Sequence, residues 1–163
     1  MEIRNARLAD LADIVAIYNQ AVREKATADT DSVTVEQRRN WFERHVADRR
    51  PILVAAEDHR VVGWCGLSDY RPGRAAVRHT AEISYYVHSA HRRKGVASAL
   101  VAEAIRRSPE LKIRTLFAIL LDSNAASVGL LEKFGFRRWG HMPDVADLDG
   151  LELGHLYYGR RVD

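Results

Sequence analysis

Apolar and polar positions change period several times along the chain, and each change marks an element. Residues 2–7 read as a short strand. Asp10 then stands where it can cap a helix whose apolar positions, Leu11, Ile14, Val15, Tyr18 and Val22, follow helical spacing. The small, turn-prone run ATADTDS (26–32) breaks that pattern. TVEQ (34–37) has the form of a capping box that opens a second helix, with Trp41, Phe42 and Val46 on one side, ending by Pro51. Two apolar runs around a polar turn of four residues follow in PILVAAEDHRVVGWCGLSDY, a hairpin pattern.

RPGRAAVR (71–78) reads as a loop and HTAEISYYVH (79–88) as a third strand. A helix over 95–107 places Val96, Leu100, Val101, Ala104 and Ile105 on one face, and Ser108-Pro109 closes it. RTLFAILL (114–121) is a strand, and Asn124 caps a helix that ends at Gly135, a left-handed C-cap. Strands near 136–141 and 152–161 complete the order β-α-α-β-β-β-α-β-α-β-β, an α/β chain with one sheet and helices packed on it.

At 163 residues, 47% of them hydrophobic and 29% charged, the chain suits one globular domain over 1–163. A net charge of +3, with acidic residues scattered among the basic ones, gives no reason to expect a nucleic-acid partner. The single cysteine, Cys65, lies in an apolar run and reads as a buried thiol, since one cysteine forms no disulfide within a chain. The start MEIRNARLAD has no apolar signal core, and no run approaches the ~18 residues of a membrane span. The expected location is the cytoplasm, with no membrane partner.

Candidate chemistry concentrates in VHSAHRRKGVASAL (87–100), where a strand ends in a basic, glycine-bearing loop that opens a helix. Such a junction aims backbone N–H groups and the positive end of a helix dipole at one spot, which suits an anion. The chain has no G-x-x-x-x-G-K-[ST], no G-x-G-x-x-G and no G-x-S-x-G. His88 and His91 are spaced by three without a nearby cysteine, so no metal site is expected. RRKGVA (92–97) has the form R-x-x-G-x-A, and DSNAASVGLLEKFGF (122–136) follows a second strand.

These segments resemble the GNAT superfamily of N-acetyltransferases, and the element order matches over nearly the whole chain. The resemblance implies the GNAT (acyl-CoA N-acyltransferase) fold, a mixed central sheet flanked by helices, with acetyl-CoA as co-substrate. It implies that the backbone of Arg93, Lys94, Gly95, Val96, Ala97 and Ser98 holds the pyrophosphate. Tyr85, Tyr86 and Val87 would pair with the pantetheine arm as an added strand does. Asn124 would bond the pantetheine, and Lys133 would lie near the cofactor.

IYNQAV (17–22), RRNWF (38–42), YRP (70–72), RHTAE (78–82) and YVH (86–88) further resemble the phosphinothricin and methionine sulfoximine acetyltransferase group. That resemblance implies a small amino-acid-like acceptor, a homodimer, Glu82 as general base and Arg71 as the fork for the acceptor carboxylate. Arg74, Ala75, Ala76 and Val77 would line the acceptor pocket. A charged Glu82 inside an apolar strand, on a face with Thr80, Ser84 and Tyr86, independently asks for an explanation. Ala28 replaces the group's usual aromatic and widens the expected pocket. Leu131 replaces the usual proton donor, leaving water, Tyr157, Tyr158 or departure of the thiolate itself as options. Two other readings stand beside the leading one: a protein or peptide N-terminal acetyltransferase, and a non-catalytic acyl-CoA sensor.

Overall fold

The computed structural model describes residues 1–45 and 47–163; the expectation for Val46 lies outside the described residues. Among the described residues seven strands form one sheet: β1 (Glu2–Asn5), β2 (Ile52–Glu57), β3 (Arg60–Asp69), β4 (Thr80–Val87), β5 (Thr115–Leu121), β6 (Arg137–Leu148) and β7 (Leu151–Arg161). Their order is β1-β2-β3-β4-β5-β7-β6. All neighbours are antiparallel except β4 and β5, which makes the sheet mixed. Four α-helices among the described residues accompany it: α1 (Leu11–Arg23), α2 (Val35–Glu43), α3 (Val96–Arg107) and α4 (Ala125–Lys133).

Local chemistry explains most boundaries. The Thr34 Oγ1 accepts from the Gln37 N–H at 3.2 Å, while Gln37 Oε1 accepts from the Thr34 N–H at 2.8 Å, closing the box that starts α2. Gly135 at φ +76° ends α4, with the Phe136 N–H bonded to Leu131 O at 3.0 Å. The β2–β3 turn is tighter than expected. Only Asp58 and His59 lie outside the strands, both at positive φ (47° and 66°), as a two-residue hairpin turn demands.

Two expectations are corrected. Asp10 does not cap α1; its carboxylate accepts from the Arg7 N–H at 2.7 Å and from both Arg4 guanidinium nitrogens at 2.7 and 2.9 Å. An arginine on β1 outcompetes the local helix amides for it. Strand β6 runs on to Leu148, well past the expected 141. Pro143 is tolerated there because β6 is an edge strand, and the register slips between Met142 and Ala146.

The two faces of the sheet have different cores. On one, Val96, Leu100, Val101 and Ala104 of α3 and Leu131 of α4 pack on Leu67, Ile83, Leu116 and Leu156. On the other, Ile14 and Ile17 of α1 pack on Ile52, Val54 and Trp64, with Tyr18, Trp41 and Tyr86 beside them. Cys65 is fully buried, and burial pushes its thiol up to about 12.

Candidate active site

Strands β4 and β5 start side by side and then separate. They pair only at Thr80, Ala81 and Glu82 with Thr115, Leu116 and Phe117, so Ile83–Val87 have no strand partner on that side. Unpaired backbone N–H and C=O groups inside a sheet are an opening for an extended ligand. A cleft of about 270 Å³ occupies the gap, bounded by Glu82, Ser84 and Tyr86 of β4, Ala118–Leu121 of β5, and Asn124, Ser127 and His155. Ala26, Thr27 and Ala28, from the segment between α1 and α2, also line it.

A longer groove of about 580 Å³ runs from this cleft to the start of α3, lined by Tyr85, Tyr86, Val87, Arg92, Arg93, Gly95, Val96, Ala97 and Ser98. Asn124 and Ser127 border both spaces. Arg93 and Gly95 have positive φ (59° and 83°), which turns the chain sharply into α3. A side chain at Gly95 would meet nothing within 4 Å, so the space above the helix start is open. The first N–H groups of any α-helix lack internal partners, and the residues that carry them here, Val96, Ala97 and Ser98, line that groove. Asn124 Oδ1 caps α4 by accepting from the Ser127 N–H at 3.1 Å.

Glu82 is half-buried on the cleft wall, directly across from Ser68 on β3 and Phe117 on β5. Burial raises its carboxyl from the ordinary value for glutamate, the direction that makes a carboxylate a better proton acceptor. Burial also pushes the Tyr85 phenol up to about 12 and raises that of Tyr86.

Residues 13–136 match the model of the Acetyltransferase (GNAT) family. The chain belongs to this family. It is 40% identical to YwnH of Bacillus subtilis over 164 residues, 99% of each chain. It is 36% identical to the L-methionine sulfoximine/L-methionine sulfone acetyltransferase of Pseudomonas aeruginosa, covering 99% of this chain and 94% of that one. The GNAT superfamily phosphinothricin acetyltransferase from Sinorhizobium meliloti, solved in complex with acetyl-CoA, superposes with a TM-score of 0.92 at 27% identity, covering 98% of this chain and 87% of that one.

The acetyltransferase fold brings Glu82, Tyr85, Tyr86, Val87, Arg93, Gly95, Val96, Ala97, Ser98 and Asn124 to one continuous space. Other residues stand apart from it. Lys94 is exposed on the loop and does not line the groove. Lys133 lies in the last turn of α4, beside a different cavity with Phe134 and Trp139. Arg71 (φ 48°), Arg74 and the short 3₁₀ turn Ala75–Val77 leave the sheet at the Glu82 end of β4. The cleft opens toward Val87, and none of these five residues lines it.

Leu131 is fully buried in the α4 core. The Tyr158 hydroxyl donates to Glu132 Oε1 at 3.2 Å on that same face of the sheet, and neither Tyr157 nor Tyr158 lines the cleft. Strand alternation placed Ser84 on the Glu82 face without assigning it a role, and sequence reasoning missed His155, Thr27 and Ser127. A histidine inside the apolar run of β7 was the one visible signal among those three. Its value depended on knowing that β7 pairs with β5 and sets His155 opposite Leu121.

Proposed function

We propose that this acetyltransferase moves the acetyl group of acetyl-CoA to the α-amine of a small amino acid or analogue of the methionine sulfoximine, methionine sulfone or phosphinothricin type. The observation that carries the reading is Glu82, a half-buried carboxylate on the wall of the gap between two diverging strands. Bound acetyl-CoA supplies an activated carbonyl and a thiolate leaving group.

The residues of the chain do the rest. Arg93–Ser98 at the start of α3 bind the pyrophosphate, and Gly95 leaves room for it. The unpaired backbone of Tyr85–Val87 and the Asn124 side chain orient the arm that enters the sheet. Glu82 takes a proton from the incoming ammonium, directly or through water, so that a neutral nitrogen attacks the carbonyl without a covalent enzyme intermediate. The resemblance to the phosphinothricin and methionine sulfoximine group assigns the acceptor carboxylate to Arg71, with Arg74–Val77 beside it, on the segment that enters β4 at its Glu82 end and outside the cleft wall itself. Homodimer formation fits the edge of the sheet, where Trp139, Met142 and Val145 on β6 are exposed together with Leu151 on β7.

The test is acetyl-CoA-dependent thiol release with methionine sulfoximine, methionine sulfone, phosphinothricin and a short peptide. Wild type turns over the amino acids. Glu82→Gln loses about 10²–10⁴ in kcat, and Arg71→Ala raises the acceptor KM. Turnover with the peptide alone would move the acceptor to a protein N-terminus. A Glu82→Gln variant within threefold of wild type would remove the glutamate from the proton transfer.

A further inference from the structure

On the sheet face that carries Glu82, Trp41 and Phe42 of α2 pack beside Trp64 of β3. A small aromatic cavity of about 150 Å³ lies there over Gly66, walled by the rings of Tyr18, Trp41, Trp64 and Tyr86 together with Ser68 and Ser84. His45, just past the end of α2, stands edge-to-face on Trp41 with ring centroids 4.7 Å apart. A Cβ at Gly66 would stand 3.8 Å from its Nε2, so the imidazole reaches down onto β3. Both ring nitrogens have a partner. Nδ1 lies 2.8 Å from Trp41 O, and Nε2 lies 3.3 Å from Ser68 Oγ.

These two contacts fix where the protons are. A carbonyl only accepts, so Nδ1 carries a proton and donates it to Trp41 O. Burial pulls the imidazole below its ordinary value; the Trp41 bond opposes that pull and the Arg44 charge adds to it, so the ring is neutral at neutral pH. A neutral ring protonated at Nδ1 has a bare Nε2, and the Ser68 hydroxyl therefore donates to it. The single Ser68 proton is thus committed, and only oxygen lone pairs are left for its other neighbours. One of those is Glu82. Strand register sets Ser68 directly opposite Glu82, and the Cβ atoms of such a pair lie about 4.5–5.5 Å apart on one face.

We propose that His45 is a positioning residue for acetyl transfer: it holds the Ser68 hydroxyl turned away from Glu82, so that Ser68 accepts from a protonated Glu82 and does not donate to its carboxylate. The direction of that one hydroxyl matters to a base. A donor aimed at a carboxylate favours the charged form and weakens its hold on a proton, whereas an acceptor beside it favours the protonated form. Ser68, turned by His45, therefore acts in the same direction as burial on Glu82. The bond from Glu82 to Ser68 forms when Glu82 takes the ammonium proton of the acceptor, and the proton itself stays on Glu82. The proposal rests on the reading of Glu82 as the base and adds to it the two residues that keep the carboxylate a proton acceptor.

The test is the titration of the Glu82 carboxyl, followed by carbon NMR on protein labelled at the glutamate carboxyls, with the resonance assigned by its loss in Glu82→Gln. It needs no turnover. The ionisable groups that share the cleft with Glu82 are Tyr85 and Tyr86 on its own strand and His155 on β7. Near His45 stand Arg44 beside it and Arg38 on α2, the latter paired with Asp29. The variants alter none of these. His45→Phe keeps a ring on Trp41 and frees the Ser68 hydroxyl to donate to the carboxylate, so the Glu82 midpoint should fall by about one unit, the size of one hydrogen bond to a charged group. His45→Leu, which removes the ring as well, should give the same fall. In a Ser68→Ala background neither substitution should move the midpoint, because the hydroxyl they act through is gone. A midpoint that stays in place in both single variants overturns the proposal, as does a fall of equal size with and without Ser68. Wild-type turnover in Glu82→Gln would remove the base reading and with it any bearing of His45 on the reaction, whereas the titration alone decides whether His45 orients Ser68.

Discussion

Arg50 is 4% exposed and ties together three segments that are distant in sequence. Its Nη2 donates to Arg78 O at 2.7 Å, and its Nη1 donates to Leu111 O at 3.3 Å and to Arg49 O at 2.8 Å. Its Nε lies 2.7 Å from Asp69 Oδ1. Burial pulls the guanidinium down from its ordinary value, and the Asp69 charge opposes that pull. Arg50→Met keeps most of the apolar volume and removes every donor. Each buried carbonyl left without a partner costs about 1–3 kcal/mol. Asp69 is 18% exposed and keeps Arg49, so its loss is of surface-pair size, about 0–1 kcal/mol.

The contacts to Arg49 O and Arg78 O are only partly buried and fall at the low end, so the sum is about 3–6 kcal/mol, near the range found on breaking a buried charged contact. For a chain of this size that lowers Tm by roughly 6–24 °C. Thermal and urea unfolding of Arg50→Met, Arg50→Lys and wild type measure it. The lysine should recover only part, because an ammonium cannot reproduce the guanidinium fork. Arg50 also anchors the end of the 71–78 segment through Arg78 O, so the acceptor KM should rise more than that of acetyl-CoA. A fall in Tm below about 3 °C would mean that water satisfies these carbonyls and that Arg50 does not hold the loop.

Burial raises the Glu82 carboxyl, so kcat/KM for the acceptor should fall on acidification from a higher pH than an ordinary glutamate would give, and Glu82→Gln should lose that acid limb. A raised folded-state carboxyl stabilises the fold below the unfolded pKa and loses that contribution as pH rises through the folded one. Urea unfolding should therefore find Glu82→Gln more stable than wild type at neutral pH, the gap closing below about pH 4.3. At Gly63 an added Cβ would meet Val96 Cγ1 at 2.8 Å and Leu100 Cδ1 at 3.3 Å. Gly63→Ala should cost about 1–3 kcal/mol and raise the KM for acetyl-CoA, because it displaces the first turns of α3. Gly95→Ala should cost about 1–2 kcal/mol from its positive φ and weaken coenzyme A binding in calorimetry.

Much of the molecule follows from interactions within a few residues, and those parts were legible in the chain itself. The Thr34–Gln37 box, the Gly135 cap, the Asn124 cap and the R-x-x-G-x-A turn at the start of α3 each rest on short-range backbone geometry. Period-two alternation likewise put Glu82 on one face with Ser84 and Tyr86, since side chains on a strand alternate whatever lies beside it. What lies beside it is a tertiary fact. The parting of β4 from β5 after Glu82, the placing of His155 on the cleft by its pairing with Leu121, and the aromatic cavity over Gly66 all depend on strands and helices far apart in sequence. So do Asp10, claimed by Arg4 rather than by its own helix, and Arg50, which bridges Arg49, Arg78 and Leu111. Local propensity assigns each residue its element and its face. Packing alone decides which faces meet, because the free energy of a buried contact belongs to both partners and appears in neither one's neighbourhood.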